Sequence, residues 1–180
     1  MNTLIDTAVK IATIAHRAQK RKQEDVPYIM HPVSVALLLS RHGFRDEVVA
    51  AALVHDVLED TDFPESELRK EMGKEVMALV DAVTNDDSLP WEEKKLTYIE
   101  TVRAGGEGAW AVATADKIHN AEDLLHSYEK QGPALWEHFK RGKEKKLWFE
   151  EEMLTMLRET WNHPLVDEYA GLVEKMKALA

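Results

Sequence analysis

The chain has no cysteine among its 180 residues, so it holds no disulfide, thiolate metal ligand or cysteine nucleophile, and any bound metal must rest on histidines and carboxylates. It also lacks an apolar stretch near the length of a membrane span. The first segment, MNTLIDTAVKIATIAHRAQ, carries Asp6 and Lys10 inside its apolar pattern, as neither a signal peptide nor a membrane anchor does. We therefore expect a cytoplasmic protein with no membrane partner. Positive charge is in deficit as well. With 23 Lys and Arg against 33 Asp and Glu, the net charge of -10 opposes binding to long nucleic acids, whose affinity comes mainly from phosphate neutralisation, but not to small phosphorylated ligands. Two basic clusters interrupt the acidic background: Arg17, Lys20, Arg21 and Lys22, then Lys140, Arg141, Lys143, Lys145 and Lys146.

Period-two alternation is missing too, and helical periodicity dominates. We expect an all-α fold in a single domain over residues 1–180, whose 44% hydrophobic content suits a soluble core. The pattern predicts helices from Leu4 to about Gln19, Pro32 to Arg41, Asp46 to Leu58, Glu65 to Met72, Lys74 to Thr84, Trp91 to Arg103 and Ala109 to Tyr128. Beyond Gly132-Pro133 it predicts a helix to about Lys140, a long one to Thr160 and a last one to Ala178. The run Ala109-Trp110-Ala111-Val112-Ala113 marks its helix as central.

Against this background one segment stands out. The apolar run Val48 to Val54 is followed by His55-Asp56 and then Glu59-Asp60. On one continuous helix His55 would stack over Glu59 and Asp56 over Asp60, placing four polar groups in one sector. A cation would organise such a set. His31 upstream and Asp116 downstream complete a mixed nitrogen and oxygen donor set on three helices, suited to Mn²⁺ first, with Fe²⁺ or Zn²⁺ behind it. The alternative is that His31 caps a helix, His55 is a core histidine and Asp116 pairs with a basic neighbour, which would leave several buried charges without a shared purpose. His16, His42, His126, His138 and His163 have no comparable context and read as surface or core histidines.

The pattern of a histidine, a His-Asp pair and a distant aspartate resembles the HD-domain metal-dependent phosphohydrolases. The likeness narrows to the Rel/SpoT-type alarmone hydrolases and their free-standing small form. It is carried by Ala15-His16-Arg17-Ala18-Gln19-Lys20-Arg21-Lys22 with Pro27-Tyr28-Ile29-Met30-His31-Pro32; by Ala51 to Thr61; by Ala115-Asp116-Lys117-Ile118-His119-Asn120; and, loosely, by Trp136 to Trp148. The resemblance implies a helical bundle with the metal site between central helices, and hydrolysis of the 3′-pyrophosphate of guanosine tetra- or pentaphosphate to pyrophosphate and GDP or GTP. Its length suits a hydrolase-only form, and a homo-oligomer is compatible with it.

Carried over residue by residue, His31, His55, Asp56 and Asp116 hold the metal, while Glu59 and Asp60 orient the attacking water and take its proton. Asn120 bonds the ribose or the bridging phosphate. Arg21 and Lys22 neutralise the pyrophosphate, Tyr28 stacks or shapes the pocket, and Lys143 with Trp148 meets the far end of the nucleotide. The chain departs from the family where a lysine usually precedes the Ala-Asp pair (here Ala113-Thr114), where an arginine often follows the Asn (here Glu122), and in the acidic loop Gln23-Glu24-Asp25-Val26. These changes keep an adenine alarmone open as substrate. A broader HD nucleotidase or NADPH phosphatase is a second enzyme class, and a nucleotide sensor with a vestigial metal site is the non-enzyme alternative.

Overall fold

A computed structural model describes residues 3–21 and 26–180. Among these the regular structure is helical, and strand-like pairing is limited to an isolated antiparallel bridge between Lys20 and Pro27. The chain forms two compact units, residues 1–116 and 117–180.

In the first unit, α1 (Thr3–Ala15) leads through the bridged loop to α2 (Met30–Arg41), then α3 (Asp46–Val54), α4 (Val57–Asp60), α5 (Glu65–Val83) and α6 (Trp91–Ala104). Helix α3 is the centre. Every residue from Val48 to Val54 is buried, as a helix apolar on all sides must be, and it packs against α1, α2 and α5. The break expected at Gly73 is present inside α5, where Gly73 takes φ 75° and ψ 172°, a conformation that side chains with a Cβ avoid.

Helix α7 (Gly106–Gln131) opens in the first unit and continues into the second. Of the run expected to mark a central helix, Ala109, Ala111, Val112 and Ala113 are buried and Trp110 is half-buried. Gly105 follows the last residue of α6, and Gly108 lies in the first turn of α7, where a Cβ would meet Leu79 Cδ2 at 2.7 Å. Gly108 thus lets α7 lie close to the Leu79 side chain of α5.

The helix predicted from Asp46 to Leu58 is two helices, α3 and α4, with His55 and Asp56 in the turn between them. Both residues keep near-helical backbone, with Asp56 at φ -91° and ψ -2°, and Asp60 N still donates to Asp56 O at 2.9 Å. The pair interrupts the regular helix while Asp60 stays one turn from Asp56, and Glu59 and Asp60 turn to different partners.

In the second unit, a 3₁₀ segment Gly132–His138 stands where a helix to Lys140 was expected, and α8 (Gly142–Thr160) packs against it and against α9 (Pro164–Lys177). His163 caps α9, its Nδ1 accepting from Leu165 N at 3.2 Å, while Pro164 occupies the position where no amide hydrogen is needed. No helix among the described residues is long and apolar enough to cross a membrane.

Candidate metal centre

Three chain segments of the first unit deliver the donors. The turn after Pro27 closes with His31 N donating to Tyr28 O at 2.9 Å and places the buried His31 ring on the first turn of α2. The end of α3 delivers His55 and Asp56, and the buried run of α7 delivers Asp116. His31 Nε2 lies 3.1 Å from Asp116 Oδ1 and 3.5 Å from Asp56 Oδ2. His55 Nε2 lies 3.2 Å from Asp56 Oδ2 and 3.7 Å from Asp116 Oδ1. Among the described residues, His31, His55 and Asp116 present ligand atoms all within 4.8 Å of one another.

This spacing fits a shared cation, since ligands bonded to one ion at about 2.1 Å sit about 3 Å apart when adjacent. The tautomer fits as well. His55 Nδ1 lies 2.7 Å from the Ala52 carbonyl, to which it donates its hydrogen, so Nε2 is the nitrogen turned to the carboxylates and open to a cation. That Nε2 is buried and faces the Asp56 and Asp116 carboxylates, a setting suited to a ligand atom. Burial disfavours charge on His55, yet the carboxylates of Asp56 and Asp116 and the Ala52 carbonyl outweigh it and push the imidazole up to about 9. The pocket is negative enough to attract a cation.

Tyr28 donates its hydroxyl to Asp56 Oδ2 at 2.6 Å. Burial, then the charge of Asp56, raises the phenol far above its ordinary range, so it stays a donor. Its ring lies 4.8 Å from His16 and 5.7 Å from His31, and the Arg21 guanidinium sits 5.6 Å from its centroid. The structure thus gives Tyr28 a bond to the Asp56 carboxylate, which the sequence does not announce.

The two acidic residues of α4 diverge. Glu59 accepts from the backbone of Asn85 and from its side chain, with Asn85 Nδ2 3.2 Å from Oε1 and 3.3 Å from Oε2; Lys95 Nζ donates to Asn85 Oδ1 at 3.3 Å. Asp60 Oδ2 accepts from Gln19 Nε2 at 3.0 Å. Gln19 Oε1 in turn lies 2.6 Å from His16 Nδ1. The sequence reading misses Asn85, Lys95 and Gln19 and leaves His16 without a role. The available signal was the position of His16 and Gln19 in the same block as Arg21.

The other sequence candidates are placed as follows. Lys22 lies outside the described residues. Asn120, half-buried, stands one turn past Asp116 on α7, at the start of the second unit. Within that unit Lys143 donates to the Leu179 carbonyl and lies 5.7 Å from the Trp136 ring centroid, and Trp148 is half-buried with Lys145 Nζ 5.3 Å from its ring.

A family model described as HD domain matches residues 8–141. The chain belongs to the HD-domain family of phosphohydrolases. It is 42% identical over 120 residues to the Homo sapiens guanosine-3′,5′-bis(diphosphate) 3′-pyrophosphohydrolase MESH1, covering 65% of this chain and 67% of that protein. A solved structure described as a metazoan ortholog of SpoT that hydrolyses ppGpp superposes with a TM-score of 0.83 at 28% identity, covering 100% of this chain and 98% of the other. The structure of lmo0812 from Listeria monocytogenes EGD-e superposes with a TM-score of 0.74 at 37% identity, over 81% of this chain and 97% of that one. The all-α fold and the Rel/SpoT-type resemblance expected from the sequence are both borne out. As an HD-domain enzyme the chain carries a His/Asp cluster suited to a divalent metal.

Proposed function

We propose that this protein is a Mn²⁺-dependent hydrolase of (p)ppGpp-type alarmones, releasing pyrophosphate and GDP or GTP. One observation carries the chemistry: the buried Nε2 atoms of His31 and His55 converge on Asp56 and Asp116 at ion-sharing distances. The identity to MESH1 supports the substrate class. His31, His55, Asp56 and Asp116 would hold the cation, which supplies charge neutralisation and Lewis acidity to the phosphate group.

The chain's own groups supply the rest. Tyr28 holds Asp56 in its orientation through the 2.6 Å hydrogen bond. Glu59 and Asp60 orient the attacking water and accept its proton. The water oxygen bonds to the phosphorus that carries O3′, the bond from that phosphorus to O3′ breaks, O3′ takes up a proton, and pyrophosphate leaves. Arg21, held near the Tyr28 ring, neutralises charge on the departing pyrophosphate. Asn120, by its place one turn past Asp116, bonds the ribose or the bridging phosphate.

Product analysis tests it. With Mn²⁺ present, ppGpp should yield pyrophosphate and GDP. Orthophosphate release from NADPH or simple monophosphates, without pyrophosphate release from ppGpp, would replace this function with a broader HD nucleotidase. A preference for ppApp would keep the chemistry and change the base.

A further inference from the structure

We infer that Gln19, oriented by His16, is a positioning residue for Asp60. This inference rests on the role given above to Asp60. A carboxylate only accepts hydrogen bonds, so the end of the Gln19 amide 3.0 Å from Asp60 Oδ2 is its NH₂. The carbonyl end then faces His16 Nδ1 at 2.6 Å, and that nitrogen must carry the hydrogen. One direction of donation runs through the chain, from His16 to Gln19 to Asp60.

His16 is suited to impose that direction. Its ring is 1% exposed, packed 4.8 Å from Tyr28, and sits just past the end of α1, with His16 N donating to Ala12 O at 3.0 Å. The loop that follows is fixed at both ends, because Tyr28 N donates to Gln19 O at 3.0 Å and Arg21 N to Val26 O at 3.1 Å. Gln19 is therefore held through its backbone as well as its amide. The contact joins residues 41 positions apart in sequence, and it engages one carboxylate oxygen of Asp60.

Glu59 is served by a parallel arrangement. There Lys95 donates to the Asn85 carbonyl oxygen and the Asn85 amide nitrogen meets the carboxylate. Each member of the acidic pair thus has a side-chain amide that is itself turned by a donor behind it. Charged groups meant to handle water need this fixing, since a carboxylate free to rotate spends little time in the productive orientation, and a 1 Å error can cost about 100-fold in rate.

The test compares Gln19→Leu, His16→Leu, His16→Asn and Asp60→Asn. For Gln19→Leu and His16→Leu we expect kcat for ppGpp with Mn²⁺ to fall about 10- to 100-fold, with KM and bound metal little changed. His16→Asn, which can return a donor nitrogen near the place of Nδ1, should recover most of the loss. In an Asp60→Asn background Gln19→Leu should add no further loss in kcat. Independently of turnover, the Gln19 side-chain NH₂ signals of the Zn²⁺-loaded protein should exchange slowly with solvent in the wild type and rapidly in His16→Leu. An unchanged kcat in Gln19→Leu, losses that multiply with Asp60→Asn, or exchange indifferent to His16 would overturn the inference. If the wild type releases no pyrophosphate from any alarmone, the proposed function fails instead, and the exchange measurement still decides whether His16 orients Gln19.

Discussion

The hydroxyl of Tyr28 donates to Asp56 Oδ2 at 2.6 Å, and that same oxygen lies 3.2 Å from His55 Nε2. Tyr28 therefore reaches the candidate metal site through one of its carboxylates rather than as a ligand. Outer partners of this kind fix ligand orientation, and their loss typically costs about 10- to 100-fold in metal affinity. Tyr28→Phe should weaken Mn²⁺ binding by that factor while keeping the ring contacts with His16 and His31. Isothermal titration with Mn²⁺ measures it, and an unchanged affinity would remove Tyr28 from the site.

The acidic pair of α4 should separate from the ligands by its metal content. Glu59→Gln and Asp60→Asn should each retain bound metal and lose turnover, within the range of about 100- to 10,000-fold usual for a proton-transfer group. Loss of metal together with activity would make these residues ligands.

Arg21→Ala should act chiefly on KM for a pyrophosphorylated substrate, because its guanidinium sits at the Tyr28 ring and contributes charge to binding. Identical kinetics in wild type and variant would place Arg21 outside the site.

A separate expectation concerns acid stability of the second unit. Glu150 is 1% exposed, with Lys146 at one oxygen and the Tyr169 hydroxyl at the other. Burial raises its carboxyl, but Lys146 and then Lys117, together with those hydrogen bonds, bring the net value below the ordinary glutamate range. A folded value below the unfolded one stabilises the unit above the unfolded pKa and loses that contribution as pH falls through the folded value. Thermal melts should therefore weaken on acidification below about pH 5. In Glu150→Gln this pH dependence should flatten, with about 3 kcal/mol of stability lost at neutral pH for a broken buried pair. An unaltered acid profile in the variant would exclude Glu150 as its source.

Much of this molecule was legible from local pattern. The apolar run Val48 to Val54 announced a buried helix, the helical periodicity excluded a sheet, and the resemblance to the HD-domain pattern singled out His31, His55, Asp56 and Asp116, whose side chains lie together in the structure. Less visible was the turn that splits α3 from α4 at His55-Asp56, since these residues keep near-helical backbone and carry no proline or glycine to signal a break. Gln19 and Asn85 were missed because their significance lies in contacts 41 and 26 positions away. A lone glutamine or asparagine has no signature until folding turns its amide toward a carboxylate.

The central claim is that the His31, His55, Asp56 and Asp116 cluster binds the metal on which pyrophosphate release depends. Its direct measurement is a Mn²⁺ titration of chelator-stripped protein with ppGpp, following bound metal and released pyrophosphate together. Activity should return in step with bound Mn²⁺, and Asp116→Ala should lose both. Full pyrophosphate release from stripped protein, or from Asp116→Ala without bound metal, would contradict the account.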